Sequence, residues 1–383
     1  MPDWDLIVVG AGPAGSAAAV AALRERADAR VLILDREPIG RDKVCGDGIA
    51  PHALVELDRL GIHATEPEEE VARVRLVAPG GSAESAVVDS PGRVVPRAQF
   101  DERMLRAAIA AGAEFRVERV TTVVQQPAAS TAQVNGTVQV NKHTSRVVIG
   151  ADGSNSVVRR AIGEPSNRGR ALAVAIRGYA PTPPDQPREL VLRWDSRRSG
   201  GLCYAWAFPT AHGTTNVGYG MSSAAPDHDR KHLVRRLGEL LPEYSLDGVE
   251  LKGHTLPLTV RQPRAAVGRV LLVGDAASLI SPFTGEGIYS AIVSGALAGR
   301  AAIAAADPGA TYATALRARF GRQHRQARLL YPLIDFRVVL DTVINAAQHD
   351  RRMFERLLDV GLGDAAFSVA DLLRFGRYVR FGA

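Results

Sequence analysis

The sequence predicts an α/β protein in which a parallel-sheet domain carries an inserted antiparallel sheet and is followed by a helical C-terminal region. Three observations predict this arrangement. A strand, a glycine-rich turn and a helix open the chain. Alternating strand patterns broken by Pro/Gly-rich turns fill residues 166–261. From about residue 306 the pattern is helical. At 383 residues the chain exceeds the usual size of a single core, so we expect two interleaved domains.

Composition excludes several classes of protein. The chain is 46% hydrophobic and 23% charged, which is typical of soluble globular proteins. Its net charge of +6 is spread along the chain rather than packed into one arm, so we predict no nucleic-acid partner. The chain has two cysteines, Cys45 and Cys203, and no second cysteine or histidine lies at a metal-ligand spacing from either of them. We therefore predict no metal site. Without a signal-peptide pattern or a long apolar run, we expect a cytoplasmic protein.

The N-terminal segment carries a dinucleotide-binding fingerprint in its proper context. The strand DLIVV precedes Gly10, Gly12 and Gly15 and an alanine-rich helix, and the second strand, RVLILDR, ends in Asp35. The first glycine permits a tight turn, the second allows the backbone to approach a pyrophosphate, and the third lets helix pack on strand. The acid would bind a ribose. The fingerprint predicts an ADP-containing ligand but does not separate NAD from FAD.

Two later segments make that separation. RVVIGADGSNSVVRR contains the turn Asp152–Gly153, and RVLLVGDAASLISPFTGEGIYSAIVSGALAGRA contains Gly274 and Asp275 at the end of a strand. In the latter, Gly285 to Ile288, including Gly287, would aim backbone N–H groups at the electron-rich edge of a flavin as the next helix begins. The three segments in this order favour FAD.

The remaining elements define the domains. Residues 94–112 read as a strand, Arg97 and a helix, and residues 113–124 read as one strand containing Val120. We expect a Rossmann-like FAD-binding domain from residues 1–75, 95–165 and 262–305, a substrate domain from 76–94 and 166–261, and a C-terminal helical region over 306–383.

The motifs GAGPAG, KVCGDG, GADGSNSVVR, YAWAFP, LLVGDAA and PFTGEGI together resemble the geranylgeranyl reductase family, FAD-dependent enzymes of the p-hydroxybenzoate hydroxylase fold group. The resemblance covers about residues 5–305. The chain departs from the family's aromatic motif at Ala205 and Thr210, where glycine and lysine are common. The resemblance implies FAD contacts from these residues: Ala14, Asp35, Cys45, Gly46, Gly48, Arg97, Val120, Asp275, Gly287 and Ile288.

Three residues are candidates for catalysis: Cys45, Tyr204 and Trp206. Cys45 is followed directly by Gly46 and then by Gly48. Its thiol could contact the flavin or the substrate wall, act as a proton donor or redox thiol, or simply pack in the core. In CYAWAFP the side chains of Tyr204, Trp206 and Phe208 face one way. They predict either the wall of an apolar substrate channel or the core of a sheet.

The resemblance implies a reductase that saturates a C=C bond of an isoprenoid, such as a geranylgeranyl, prenyl-lipid or quinone substrate. Reduced flavin N5 would give a hydride to one alkene carbon while Cys45, Tyr204 or a water protonates the other. The chain shows no second GxGxxG unit that would hold NADPH. The electrons would therefore come from NADPH bound transiently at the flavin face, from a ferredoxin or from another reductase.

Two alternatives remain. The same fold group hosts monooxygenases, both aromatic hydroxylases and halogenases. No lysine lies between Lys43 and Lys142, which disfavours a halogenase. A third reading is a non-catalytic, membrane-peripheral flavoprotein that binds prenyl lipids. The late helices MFERLLDVGL and VADLLRFGRYVRF mix apolar and basic residues, as a segment touching a membrane surface would.

Overall fold

The computed structural model describes residues 2–81, 83–126, 136–195, 201 and 203–378. Its first sheet is the parallel core. Its strands are β1 (Trp4–Val9), β2 (Val31–Asp35), β6 (Glu114–Val117), β7 (Val123–Gln126), β8 (Thr137–Val140), β9 (His143–Gly150), β15 (Ala266–Val267) and β16 (Val270–Leu272). Six of them follow the order β15-β16-β9-β1-β2-β6. The strands β7 and β8 join the sheet through β9, with which β8 pairs in antiparallel fashion.

Apolar strands and alanine-rich helices bury this core. β1 reads WDLIVV and is fully buried from Leu6 onward, as a central strand covered on two faces requires. The helices around it are α1 (Pro13–Glu25), α2 (Pro51–Arg59), α3 (Arg97–Ala110), α4 (Val157–Ala161) and α6 (Ile288–Ala304). A Cβ at Gly295 or Gly299 would collide with the carbonyl oxygens of Ala14 or Ala18, so these glycines let α6 pack closely on α1.

The second sheet follows the order β14-β10-β13-β12-β11-β4-β5-β3. All its pairs are antiparallel except β4 with β11. The elements are β3 (Gly48–Ile49), β4 (Glu70–Val77), β5 (Ala83–Val94), β10 (Leu172–Pro181), β11 (Leu190–Trp194), β12 (Cys203–Pro209), β13 (Thr214–Ser222) and β14 (Lys252–Pro257), with the helix α5 (Arg230–Leu240) packed against β13.

The C-terminal region is helical. It contains α7 (Pro308–Leu330), a 3-10 turn (Tyr331–Asp335), α8 (Arg337–His349), α9 (Arg351–Leu362) and α10 (Val369–Gly376). α8 packs on the second sheet through Ile344 and Ala347, which join a buried cluster with Val74 and Leu76 of β4. These helices therefore cover one face of the second sheet.

The predicted fold class is confirmed, and two details differ. Residues 113–124 do not form one strand: β6 ends at Val117, and Val120 lies in a loop before β7. Asn141 explains the break, because its side-chain oxygen accepts from the backbone N–H groups of Thr121 and Thr122. The expected domain division after residue 75 falls inside β4, whose register with β5 and β11 assigns the whole strand to the second sheet. The rest of the predicted division into domains remains a proposal.

None of the helices in the described residues is long and apolar enough to cross a bilayer. Within the same residues, no group of three His, Cys, Asp or Glu side chains could hold a metal ion.

Candidate active site

The turn between β1 and α1 leaves room for a ligand backbone. Gly10 has φ 108°, and a Cβ there would collide with the Ala151 carbonyl oxygen. A Cβ at Gly15 would collide with the Gly10 carbonyl oxygen. The helix begins after Gly12 without a side-chain cap and without an acid in its first turn. Its unpaired N–H groups and dipole therefore favour an anion at this end.

Asp35 is oriented by backbone donors. Ala11 N–H donates to its Oδ2 (2.8 Å) and Glu37 N–H to its Oδ1 (3.1 Å). Arg41, which the sequence analysis missed, places its Nε 3.7 Å from Asp35 Oδ2 and its Nη2 3.7 Å from Asp101 Oδ2. The guanidinium lies close to Gly12. In the sequence, the one signal for Arg41 is that it is a cation in the loop after β2. In the structure, its guanidinium supplies positive charge beside the N-terminus of α1.

A cavity of about 960 Å³ runs from the N-termini of α1 and α6 to the C-terminal helices. It gathers eleven of the predicted site residues: Cys45, Gly46, Gly48, Arg97, Tyr204, Trp206, Phe208, Asp275, Gly285, Gly287 and Ile288. The residues from the two sheets and from α6 therefore meet at one place.

Cys45 is a half-buried free thiol in the loop before β3. Burial raises its pKa, and the neighbouring Arg97 guanidinium, which also hydrogen-bonds the thiol, opposes the rise. Arg97 is itself held by the buried Asp101 through bonds of 2.7 and 2.8 Å. A thiol with a raised pKa stays protonated at neutral pH, so Cys45 is not set up as a thiolate nucleophile.

Asp47 anchors this loop in the left-handed region, with φ 63°. Its Oδ2 accepts from Tyr179 Oη (2.5 Å) and from Asn216 Nδ2 (2.8 Å). Asn216 Nδ2 also donates to the Cys45 carbonyl (2.8 Å), and Asn216 Oδ1 accepts from Trp206 Nε1 (3.0 Å). Burial raises the pKa of Asp47 to about 6. Asn216 was not predicted from sequence, and it joins the cysteine loop to the aromatic strand.

β12 presents its aromatic side chains to the cavity. The rings of Tyr204 and Trp206 lie 5.9 Å apart. Phe208 packs against Gly46 and Gly48, where a Cβ would come within 3.2 and 3.3 Å of its ring. Tyr204 Oη donates to the Thr284 carbonyl, which ties the strand to the loop before α6. The predicted common face of these three side chains is confirmed, and it faces the cavity.

Charged groups occupy the end of the cavity near α1. Lys43 Nζ lies 3.0 Å from Asp275 Oδ2. Burial alone would raise the pKa of Asp275, but Lys43, His254 and Arg97 hold it below the usual value. Burial and the charge of Lys43 lower the pKa of His254 to about 4, so its imidazole is neutral at pH 7. This end presents one fixed ion pair beside a neutral hydrogen-bonding ring.

Glu286 is a half-buried carboxyl two residues before α6 that the sequence analysis did not single out. Its Oε1 accepts from the Tyr289 backbone N–H (2.7 Å), and the Ile288 N–H also bonds the carboxyl. Burial raises its pKa to about 8, so it is mostly protonated at pH 7. Gly285 N–H donates to the Ser281 carbonyl (3.0 Å). Fewer free N–H groups thus point into the cavity here than the motif suggested.

Nine predicted residues lie outside the cavity wall. Four of them, Gly10, Gly12, Gly15 and Asp35, belong to the glycine turn and the end of β2 described above, and the other five serve the fold. Asp152 accepts from Ser156 Oγ (2.5 Å) and from Val157 N–H (2.6 Å), so it serves the start of α4. The loop residue Val120 is buried in the core of the first sheet. The other three are the turn residue Gly153 and the α1–α6 packing residues Ala14 and Gly274.

The residues fit FAD. The bare glycine turn, the uncapped start of α1 and Arg41 suit a pyrophosphate, and the oriented carboxylate of Asp35 suits a ribose. The cavity continues from Pro13 at that helix start past Asp275 to Cys45. A planar ring system would have its place between the cysteine loop and the α6 N-terminus.

Comparison with known proteins agrees with this reading, because the FAD binding domain family matches residues 3–307. The chain belongs to the FAD binding domain family. It is 31% identical to a menaquinone reductase of Mycolicibacterium smegmatis over 86% of this chain and 84% of that protein. It is 32% identical to digeranylgeranylglycerophospholipid reductase 1 of Methanopyrus kandleri over 82% of this chain and 84% of that protein.

A solved structure shows the same fold. The geranylgeranyl bacteriochlorophyll reductase-like protein of Thermoplasma acidophilum aligns with a TM-score of 0.77 and 24% identity, over 97% of this chain and 95% of that one. The predicted resemblance to the geranylgeranyl reductases is therefore confirmed. This member of the FAD binding domain family is an FAD-dependent oxidoreductase.

Proposed function

We propose that this chain reduces a C=C bond in the isoprenoid chain of a quinone or glycerolipid. The observation that carries the proposal is a single cavity with a charged end at Lys43 and Asp275 and a long apolar wall of aromatic and aliphatic side chains. An unactivated alkene offers no carbonyl to polarise, so a dry, shaped pocket must position it. The two reductase relatives are named for substrates of this chemical class.

FAD, when bound and reduced, supplies the hydride. The residues of this chain supply position, dryness and a proton. Trp206 and Phe208 form a wall against the cysteine loop and exclude water from it. Asn216 holds that loop and the Trp206 ring in a fixed relation. Lys43 and Asp275 fix the charged end, so the apolar chain is confined to the opposite end.

For the proton we propose Glu286. At pH 7 Cys45 and Tyr204 are protonated, because burial raises pKa values that ordinarily already lie above 7. Glu286 is mostly protonated, because burial raises its pKa to about 8. A general acid works best when its pKa lies near the operating pH, and about 8 for Glu286 is the nearest of the three. The carboxyl lines the cavity, and the Tyr289 N–H holds its Oε1 in place (2.7 Å).

The test uses the purified holoenzyme, reduced with dithionite without oxygen and mixed with menaquinone-4 or geranylgeraniol in detergent. We expect the visible absorbance of oxidised flavin to return and the geranylgeraniol product to be heavier by two hydrogens. With menaquinone-4, fragmentation in the mass spectrometer should place the two hydrogens in the isoprenoid chain and not in the quinone ring. Repeating the cycle with NADPH, or with reduced ferredoxin, in place of dithionite identifies the electron donor. A flavin that stays reduced, together with a product that gains oxygen in air, would contradict the proposal and favour a monooxygenase.

A further inference from the structure

One mouth of the cavity has an apolar rim. The rim consists of residues 329–338, from the end of α7 to the start of α8, and residues 369–377, which include α10. Leu333, Val338 and Leu372 line the cavity and are also exposed to solvent. The apolar cavity wall therefore continues onto the outer surface at this rim.

The segment just before the second part of the rim is held on α7 by two hydrogen bonds from one side chain. Gln326 in α7 donates from Nε2 to the Phe367 carbonyl (2.8 Å) and accepts at Oε1 from the Phe367 N–H (2.7 Å). Leu329 lies one turn after Gln326, and Val369 lies two residues after Phe367. These bonds fasten the segment that leads into the second part of the rim to the end of α7.

Further apolar side chains of the rim do not line the cavity and point to solvent. Leu329 is 76% exposed, Val369 74% and Leu373 70%. Exposed apolar side chains gathered in two short segments are expensive to hydrate and mark a surface that contacts another apolar phase. These side chains therefore have no role in holding the substrate cavity, and their exposure calls for an external partner.

The charges around the rim are of one sign. Within residues 322–338 and 369–377, every exposed charged residue is an arginine: Arg322, Arg325, Arg328, Arg337 and Arg377. The acids in these segments or next to them are half-buried and paired: Asp335 with Arg170 (2.7 Å), Asp371 with Arg356 (3.1 Å) and Asp341 with Arg337 (3.2 Å). The positive charge of the rim therefore comes mainly from the other four arginines. Apolar side chains surrounded by arginine suit a membrane whose lipid headgroups are anionic.

Another exposed part of the cavity edge is different. There the lining residues are Asp89, Arg351 and Glu355, and Arg351 binds Asp89 (3.1 Å) and Glu355 (2.7 Å). An edge of mutually paired charges prefers water to hydrocarbon. The rim is thus the side on which an apolar chain can enter without crossing charged groups.

We propose that the rim docks on an anionic lipid bilayer, and that the substrate passes from the bilayer into the cavity between Leu333 and Leu372. The inference rests on the proposed function, because a prenyl lipid partitions into hydrocarbon and not into water. Continuity between rim and cavity favours a bilayer over a protein partner, since the occupant of the rim must release an apolar chain into the cavity.

The experiment is flotation of the holoenzyme with vesicles of phosphatidylcholine, with and without phosphatidylglycerol. The variants are Leu329→Glu and Leu373→Glu, neither of which lines the cavity. The matched control is Val117→Glu, an exposed valine (58%) in β6 of the other sheet. We expect binding to the anionic vesicles that weakens with salt, falls at least tenfold in the two rim variants and is unchanged in the control.

Activity assays separate this inference from the proposed function. Leu373→Glu should convert geranylgeraniol in detergent at the wild-type rate and convert menaquinone in vesicles at least tenfold more slowly. Wild-type protein that does not float with vesicles, or a control that loses binding equally, overturns the inference. So does a dimer that Leu373→Glu dissociates in the absence of vesicle binding. Vesicle binding through the rim without reduction of any prenyl substrate refutes the proposed function and supports the docking surface.

Discussion

At one end of the cavity, charged side chains hold each other at hydrogen-bond distance, with Lys43 on Asp275 and Arg97 on Asp101. At the other end, Trp206 and the C-terminal helices form a wall of apolar side chains. Removing one member of a buried ion pair leaves an uncompensated charge, whereas an apolar wall tolerates changes that keep its volume. The charged end is therefore fixed, and the apolar end is the part that different substrates can reshape.

The largest effect is expected from filling the glycine turn. Gly15→Val would drive a side chain into the Gly10 carbonyl, so we expect loss of bound flavin and failure to hold α1 on β1. The flavin-to-protein ratio after purification and thermal unfolding measure this. The control is Gly321→Ala in α7, where the added Cβ meets open space and should stabilise the helix by up to about 1 kcal/mol. Retention of flavin by Gly15→Val would contradict the assignment of the turn.

The apolar end is tested by Trp206→Ala. Truncating a buried tryptophan should lower the free energy of unfolding by about 3 to 5 kcal/mol and raise KM for a prenyl substrate. Trp206→Phe keeps a ring but loses the bond to Asn216, and should cost about 1 kcal/mol. Urea unfolding of the holoenzyme compares the two. Equal losses would mean that the hydrogen bond, not the apolar wall, dominates at this position.

Glu286→Gln sharpens the comparison, since this carboxyl lies between the two ends. The variant keeps an acceptor for Tyr289 N–H and removes the acid, so turnover should fall about 100-fold at pH 7.

The same variant gives a stability signature. In the folded protein the pKa of Glu286 is raised from 4.5 to about 8. Between those pH values the folded state binds more protons than the unfolded state, so the free energy of unfolding falls as pH rises. Glu286→Gln should lose this part of the pH dependence and be more stable than wild type at pH 8. Urea midpoints at pH 5 and pH 8 decide this, and parallel pH profiles would refute the raised pKa.

An effect smaller than that of Trp206→Ala is expected at the charged end. Lys43→Met should lower the free energy of unfolding by about 2 kcal/mol, because Asp275 is left buried without its cation. The pKa of Asp275 is lowered in the folded protein, so the pair stabilises at neutral pH and this contribution is lost as pH falls through the folded pKa. The double variant Lys43→Met/Asp275→Asn should recover most of the loss. A double variant no more stable than Lys43→Met would contradict an ion-pair role.

The sequence was sufficient to predict those parts of the candidate site that short motifs encode. The glycine turn, Asp35, the cysteine loop and the aromatic strand each lie in one continuous segment whose spacing has a local physical cause. It missed residues whose roles depend on distant partners: Arg41 acts through Asp101, and Asn216 acts through Cys45 and Trp206. Burial was the other missing quantity. Glu286 is an ordinary glutamate in the sequence, and only its enclosure raises its pKa.

The packing of α1 on α6 has a consequence for synthesis of the chain. α1 ends at Glu25, whereas its glycine-spaced partner α6 begins at Ile288. On the ribosome, the nucleotide-binding turn therefore emerges long before the helix that closes over it. Asp275 and β16 also lie far along the sequence, so they are synthesised long after the turn. The complete flavin site therefore exists only late in translation, and the nascent chain is without its cofactor for most of its synthesis.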